Sequence, residues 1–340
     1  MKRVDLLGGI ILLVLAAFIF LVLSFRSKPA TLTNPAVDQT QKSNFNLQPI
    51  PTAAENVFNL LLLGTGNPGH EGVGLTDSMI IIHLDIPNKK VALISIPRDL
   101  WVSSQKINKV YVSGGFPLVE QTISTITGLS VSKTILVDFN GLTQIINGLG
   151  GIEVNVLKTF DDYFYPVAGK ELETCGMSND QLAAINATMS GFQLEKQYSC
   201  RYEHLHFDAG PNKMTGETVL KFVRSRHSNQ DGNDFARTLR QQAVLIGIKN
   251  KLLSLDGLKK APAFFDKFIR LVRTDLDKQT AVAIANLIIN PKDYQISQVR
   301  LSITNVLKES TSADHQYILL PKSGNDNWSE IQDYIKKQIN

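Results

Sequence analysis

Three uninterrupted apolar runs follow one another early in the chain: Asn56 to Leu63 (NVFNLLLL), Ser78 to Leu84 (SMIIIHL) and Val91 to Ile96 (VALISI). Runs of this kind, without polar alternation, suit strands buried on both faces, so helices are expected to cover the sheet on each side. Pro87-Asn88-Lys89 reads as a hairpin turn between the second and third runs, which makes the sheet mixed. Helical spacing over Gly115 to Thr127 and Phe139 to Asn147, with strands at Thr134 to Asp138 and Ile152 to Val156, completes the pattern. Gly148 to Gly151 suits a helix stop feeding a strand. The expected fold is α/β, a three-layer α/β/α sandwich with a mixed central sheet. Farther on, helices are expected near Lys259 to Val272 and Lys278 to Ile289, strands at Ile296 to Ile303 and Gln316 to Leu320, and a closing helix from Trp328 to Ile339.

Ahead of this domain, Lys2 and Arg3 precede the uncharged run Leu6 to Leu23 (LLGGIILLVLAAFIFLVL), which falls within the roughly 17 to 25 residues that cross a bilayer. No small-residue cleavage site follows in SFRSKP, so a membrane helix is expected rather than a removed signal peptide. A short tail before the helix and a long domain after it favour the tail inside and the bulk outside. The expected organisation is a cytoplasmic tail over 1–5, a transmembrane helix over 6–23, a flexible polar linker over 24–54, and one extracytoplasmic domain over 55–340. The net charge of +4 is modest, which argues against general nucleic-acid affinity. Cys175 and Cys200 flank a polar loop without metal-ligand spacing. They could pair in an oxidising exterior and would more often stay free in a cytoplasm.

Chemistry concentrates in Lys221 to Gln242, KFVRSRHSNQDGNDFARTLRQQ. If Phe222 to His227 is extended, Arg224 and Arg226 leave the backbone on the same side as one cationic fork. After Gly232, a helix beginning near Asn233 or Asp234 would place Asp234, Arg237, Arg240 and Gln241 along one stripe. Arginine forks match phosphate oxygens two at a time, so the natural guest is a phosphate or pyrophosphate. The alternative is a solvated helix laced with ion pairs, and Arg240 suits a surface pair as well as a binding role.

Between the first two apolar runs lies GTGNPGHEGVGLTD, Gly64 to Asp77. It spells GxGxxG but leads into a strand rather than a helix, so a dinucleotide reading is weak. It supplies Asp77 at a strand start, where a carboxylate could hold Mg2+, with His70 within reach. His204 and His206 in YEHLHF lack partners in the pattern, and a metal site there is not expected. The long excursion from Lys158 to Asn212 reads as a lid, a binding loop or a structural lobe.

The order GTG, LTDSM, SIPRDLWV, KIN, GG, VDF, GLGGIEVNV, GETVLKFVRSRH, DFAR and RQQ resembles the LytR-CpsA-Psr family of bacterial cell-wall ligases over roughly Asn56 to Lys251. The resemblance implies a single-helix membrane anchor, an extracytoplasmic catalytic domain, and transfer of a glycopolymer from a polyprenyl-pyrophosphate carrier to peptidoglycan through a phosphodiester, with Mg2+ on the pyrophosphate. It further implies that Asp77 is the metal-associated aspartate, that Arg98 binds pyrophosphate, and that Arg224, Arg226, Asp234, Arg237 and Gln241 form a second polar cluster, with Asp99 adjacent. Two positions depart from the family pattern: Gly66 and Leu75 stand where an aspartate and an arginine are usual. Metal ligation then falls to Asp77, water and substrate, or to Asp77 with help from His70 and Glu71.

Phosphoryl transfer asks mainly for positioning and for neutralisation of charge on the phosphate oxygens. Arg98, Arg224, Arg226 and Arg237 would clamp the pyrophosphate, and Asp234, or second Asp99, would take the proton of the acceptor hydroxyl. Asp234 also suits a helix N-cap. Two other classes remain open, a hydrolase of the same lipid pyrophosphate and a non-enzymatic membrane regulator.

Overall fold

The structure is a computed structural model that describes residues 56–66, 74–228, 234–254, 270–277 and 293–340, with Thr280, Ala283, Ile284 and Leu287 between the last two. Leu6 to Leu23, His70 and Glu71 lie outside these residues, as does most of the helix expected near Lys259 to Val272. Among the described residues no helix is long and apolar enough to cross a membrane. The chain divides into two units, residues 153–247 forming one and the segments before and after it the other.

In the first unit, β1 (Val57–Thr65), β2 (Thr76–Asp85) and β3 (Lys90–Ser95) run antiparallel to one another. Ile80, Ile81 and Ile82, and likewise Val91, Ala92, Leu93 and Ile94, are all buried. Neighbouring strand residues point to opposite faces, so both faces are covered here, as the uninterrupted runs predict. A small hairpin, β4 (Trp101–Val102) with β5 (Gln105–Lys106), leads into helix α1 (Val110–Thr127). Then come β6 (Val131–Asp138) and α2 (Phe139–Gly148), the latter capped by the Asp138 carboxylate, which accepts from the Gly141 amide at 2.7 Å. β6 adds to β1 in parallel, which makes the sheet mixed.

Helix α1 begins earlier than the expected Gly115 because it is two helices joined at a kink. Gly115 there has φ +66°, and a Cβ on Gly114 would lie 2.6 Å from the Leu118 side chain. Glycine is what the kink requires at both positions. The later part of α1 packs Val119, Ile123 and Ile126 with Leu61, Leu63, Ile81 and Ile94 in one apolar core.

The second unit holds β7 (Ile152–Val156, whose first residue belongs to the other unit), β8 (Phe160–Pro166), the helices α3 (Asn179–Thr188) and α4 (Gly191–Glu195), β9 (Tyr202–Phe207) and β10 (Gly210–Met214). β8 pairs with β9 and β10 with β7. Helices α3 and α4 bury no residue, and a Cys175–Cys200 disulfide ties this excursion together. Helix α5 (Gly216–Arg224) follows, capped by Thr215, whose hydroxyl accepts from the Thr218 amide, and it buries Val219, Phe222 and Val223. Phe222 to Arg224 are thus helical, which corrects the extended reading: a capped amphipathic turn outweighs the i, i+2 spacing of the arginines. Helix α6 (Asp234–Leu253) starts where the sequence predicts and crosses the boundary between the units.

Val272 is not the end of a helix but opens the short strand β11 (Val272–Thr274), antiparallel to β6. Thr280, Ala283, Ile284 and Leu287 are helical. β12 (Gln295–Arg300) joins β3 in parallel and stops short of the expected Ile303, because Asn305 turns the chain by accepting from the Ser302 amide at 2.8 Å. The order across the sheet is β11-β6-β1-β2-β3-β12. A hairpin of β13 (Leu307–Thr311) and β14 (Tyr317–Pro321) precedes α7 (Ser329–Ile339), whose Ile331 and Ile335 complete the core beside α1.

One buried carboxyl packed against this sheet has a pH signature. Glu120 of α1 accepts from Thr134 Oγ1 at 2.6 Å. Burial foremost, with Asp275 nearby, pushes the Glu120 carboxyl up to about 7 from an ordinary 4.5. Between those values the folded state holds a proton that the unfolded state has lost, so stability falls as pH rises through the window. Below it there is no loss, and above it the loss is complete. Glu120→Gln keeps an acceptor for Thr134 and is expected to flatten this fall, measured by urea denaturation at about pH 5 and about pH 8.

Candidate active site

The residues expected to carry chemistry fall in two groups, one in each unit. In the first, Asp77 lies near the start of β2 and Arg98 and Asp99 follow β3. Arg98 Nη1 donates to Asp77 Oδ1 at 2.6 Å. The Asp77 side chain is 40% exposed and that of Arg98 21%, so this pair faces solvent and contributes little to stability. Asp99 is different, being 5% exposed. Lys106 Nζ of β5 donates to Asp99 Oδ1 at 2.6 Å, and Arg98 Nε stands 3.4 Å from Oδ2. The backbone locks the same corner, since the Asn108 amide donates to the Arg98 carbonyl and the Leu319 amide to that of Asp99. Arg98 therefore sits between two carboxylates, one exposed and one buried. Lys106 completes the group, and sequence spacing does not single it out because the β4–β5 turn alone brings it back to Asp99.

Asp77 is the carboxylate of this group able to take a hard cation. Among the described residues no three His, Cys, Asp or Glu side chains gather as a metal site. The donor set present fits Mg2+, which commonly uses one or two carboxylates and completes its shell with water and phosphate oxygens. It does not fit a cation that needs an all-protein cage.

On the sheet face turned away from α1, and toward the end of β1 and β2 opposite Asp77, lies a cavity of about 330 Å³, lined by Phe58, Leu60, Ile82 and Leu84 together with Asn59 and Lys133 among others.

In the second unit, Arg224 ends α5, Nη1 lies 3.4 Å from Tyr165 Oη, and Arg226 is exposed in the irregular segment that follows. Asp234 is the first residue of α6, and Arg237 and Gln241 are half-buried on that helix. Arg240 is 4% exposed. Its Nη2 donates to the Ser225 carbonyl at 2.6 Å, and its guanidinium stands 5.0 Å from the Phe160 ring centre. Neither a surface pair nor an open anion contact describes it: it holds the arginine segment from beneath.

His204 and His206 both meet Asp161, at 2.7 and 2.8 Å. The hydrogen bonds from His206 and His204 hold the Asp161 carboxyl below its usual range, and the Asp161 and Asp208 carboxylates raise His206. This is an exposed His–Asp cluster on the β8–β9 ribbon, and the fold supplies the Asp161 and Asp208 partners that the YEHLHF pattern alone did not bring to the two histidines.

A sequence model of the LytR_cpsA_psr family matches residues 19–332. The polyisoprenyl-teichoic acid–peptidoglycan teichoic acid transferase TagV of Bacillus subtilis is 25% identical over 296 residues, covering 84% of this chain and 67% of TagV. TagU of Enterococcus faecalis, which carries the same description, is 24% identical over 330 residues, covering 92% of this chain and 88% of TagU. The crystal structure of B. subtilis TagV superposes with a TM-score of 0.56 at 22% identity, covering 83% of this chain and 97% of that one. The mixed α/β fold with its central mixed sheet is therefore shared.

Proposed function

This chain belongs to the LytR-CpsA-Psr family, and on that premise we propose that it transfers a glycopolymer from a polyprenyl-pyrophosphate carrier to peptidoglycan through a phosphodiester bond. The relatives named as teichoic acid transferases support the reaction class. The observation that carries the reading in this chain is Arg98, held between Asp77 and the buried Asp99. A guanidinium fixed before substrate arrives neutralises developing phosphate charge without reorganising.

Arg98, Arg224, Arg226 and Arg237 bind the pyrophosphate, and Gln241 adds a neutral donor. Asp234 takes the proton from the attacking sugar hydroxyl. Asp99 suits this role less, since its oxygens face Lys106 and Arg98. Asp77 would hold Mg2+, which when bound adds positive charge against the pyrophosphate oxygens. We also read residues 6–23 as the membrane anchor, the sheet as the middle of a three-layer sandwich, and the whole domain as extracytoplasmic. The Cys175–Cys200 disulfide supports an oxidising exterior.

The test incubates the purified ectodomain with a polyprenyl-pyrophosphoryl glycan, Mg2+ and peptidoglycan. A covalent glycan–peptidoglycan product is expected. Glycan release to water alone would make the protein a hydrolase, and no turnover in either assay would leave it a binding protein and sink the proposal.

A further inference from the structure

Asp162 of β8 is completely buried, at 0% exposure. An ionised carboxylate in that position is strongly disfavoured unless its oxygens are hydrogen-bonded. Here they are. Oδ2 accepts from Ser225 Oγ at 2.7 Å and from the amides of Arg226 at 3.1 Å and His227 at 3.2 Å. Oδ1 accepts from the Phe164 amide at 2.9 Å. Burial by itself would raise the Asp162 pKa, but the bonds from Ser225, Phe164, His227 and Arg226 outweigh it and hold the group below the usual carboxylate range.

The three donors on Oδ2 come from consecutive residues, 225 to 227, in the irregular segment after α5. An isolated antiparallel bridge between Asp162 and Ser228 ties down its far end. On the carbonyl side, Arg240 donates to Ser225 O while lying over Phe160, two residues from Asp162 on the same strand. The segment is thus gripped through its amides by one buried ion and through a carbonyl by another. Arg224 and Arg226 flank the gripped Ser225. Because the Arg226 and His227 amides already donate to Asp162, the backbone here cannot cradle an anion, and only the side chains remain for one.

We infer that Asp162, assisted by Arg240, is the positioning group that sets the backbone from which Arg224 and Arg226 meet the substrate pyrophosphate. This rests on the function proposed above. Preset donors bind without the ordering cost that a loose loop would carry.

The test titrates a short polyprenyl pyrophosphate with Mg2+ into the ectodomain as wild type, Asp162→Asn, Ser225→Ala, Arg224→Ala/Arg226→Ala, and the last combined in turn with Asp162→Asn and with Ser225→Ala. Asparagine turns an N–H2 or a single oxygen toward three donors, so Asp162→Asn is expected to weaken binding about tenfold or more, and Ser225→Ala by a smaller factor. In the double-arginine background Asp162→Asn is expected to add nothing, because its effect runs through those side chains. Wild-type affinity in a folded Asp162→Asn protein would overturn the inference. So would an equal loss in both backgrounds, which marks a general packing defect. If Asp162→Asn does not fold, Ser225→Ala decides by the same comparison: a loss confined to the wild-type background supports the inference, and no loss overturns it. A wild-type protein that binds no pyrophosphate refutes the proposed function itself, a result distinct from wild-type binding with silent variants.

Discussion

Arg237→Ala is expected to lower glycopolymer transfer about a thousandfold, the scale of losing one preset cationic donor to a phosphoryl group. Arg98→Ala is expected to do the same. Arg237 is half-buried on α6 and Arg98 is partly exposed, so neither truncation removes a core side chain. Thermal melting should therefore change by no more than about a few degrees. Arg237→Lys should recover only part of the lost rate, since an ammonium cannot bond two phosphate oxygens from one plane. Wild-type turnover in both alanine variants would remove the arginine clamp from the mechanism.

The second large effect concerns stability. Lys106→Ala leaves Asp99 buried with Arg98 as its remaining cationic neighbour. Breaking a buried pair from one side costs about 3–5 kcal/mol, and the lower end is expected here because the Lys106 side chain is 16% exposed. Urea denaturation measures it. Adding Asp99→Asn to Lys106→Ala removes both charges together and should recover much of the loss, so that with Asp99→Asn alone the three variants give a clearly non-additive cycle. An additive cycle would mean that the two groups do not share their energy.

The sheet was legible because its strands announce themselves locally. NLLLL, MIII and VALI leave no polar face to expose, and the structure pairs them in sequence order. What local pattern does not carry is pairing across distance. LVRT continues a helical spacing as easily as it forms a strand, and only the edge of β6 makes Val272 to Thr274 extended. The hairpin β13–β14 was half read, since Tyr317 to Leu320 is apolar but LKEST looks like a polar loop. Around Arg224 the i, i+2 spacing pointed to a strand while Thr215 and the buried stripe Val219, Phe222, Val223 pointed to a helix, and the cap and stripe prevailed.

The site shows the same division. The density of charged residues in Lys221 to Gln242 drew attention to Arg224, Arg226 and Arg237, whereas the role of Arg98, and of Asp77 as a metal-associated aspartate, came from the resemblance carried by SIPRD and LTDSM. Lys106 and Asp162 escaped, since each matters only through a partner brought to it by the fold. Arg240 shared the spacing of its neighbours on α6, and its burial over Phe160 could not be read from one helix alone.

The parallel pairing of β12 with β3 has a consequence for the order in which the chain acquires its structure. The meander β1–β2–β3 can form as soon as Ser95 is available, yet β3 waits for Gln295 before its outer edge is paired. In that interval the edge of KVALIS stands open, with Val91 to Ser95 destined for burial. An unpaired apolar edge is a template for joining another chain, and long-range pairings close slowly. Fragments that end before Gln295 should therefore associate through β3, while chains that include Arg300 close the edge on themselves.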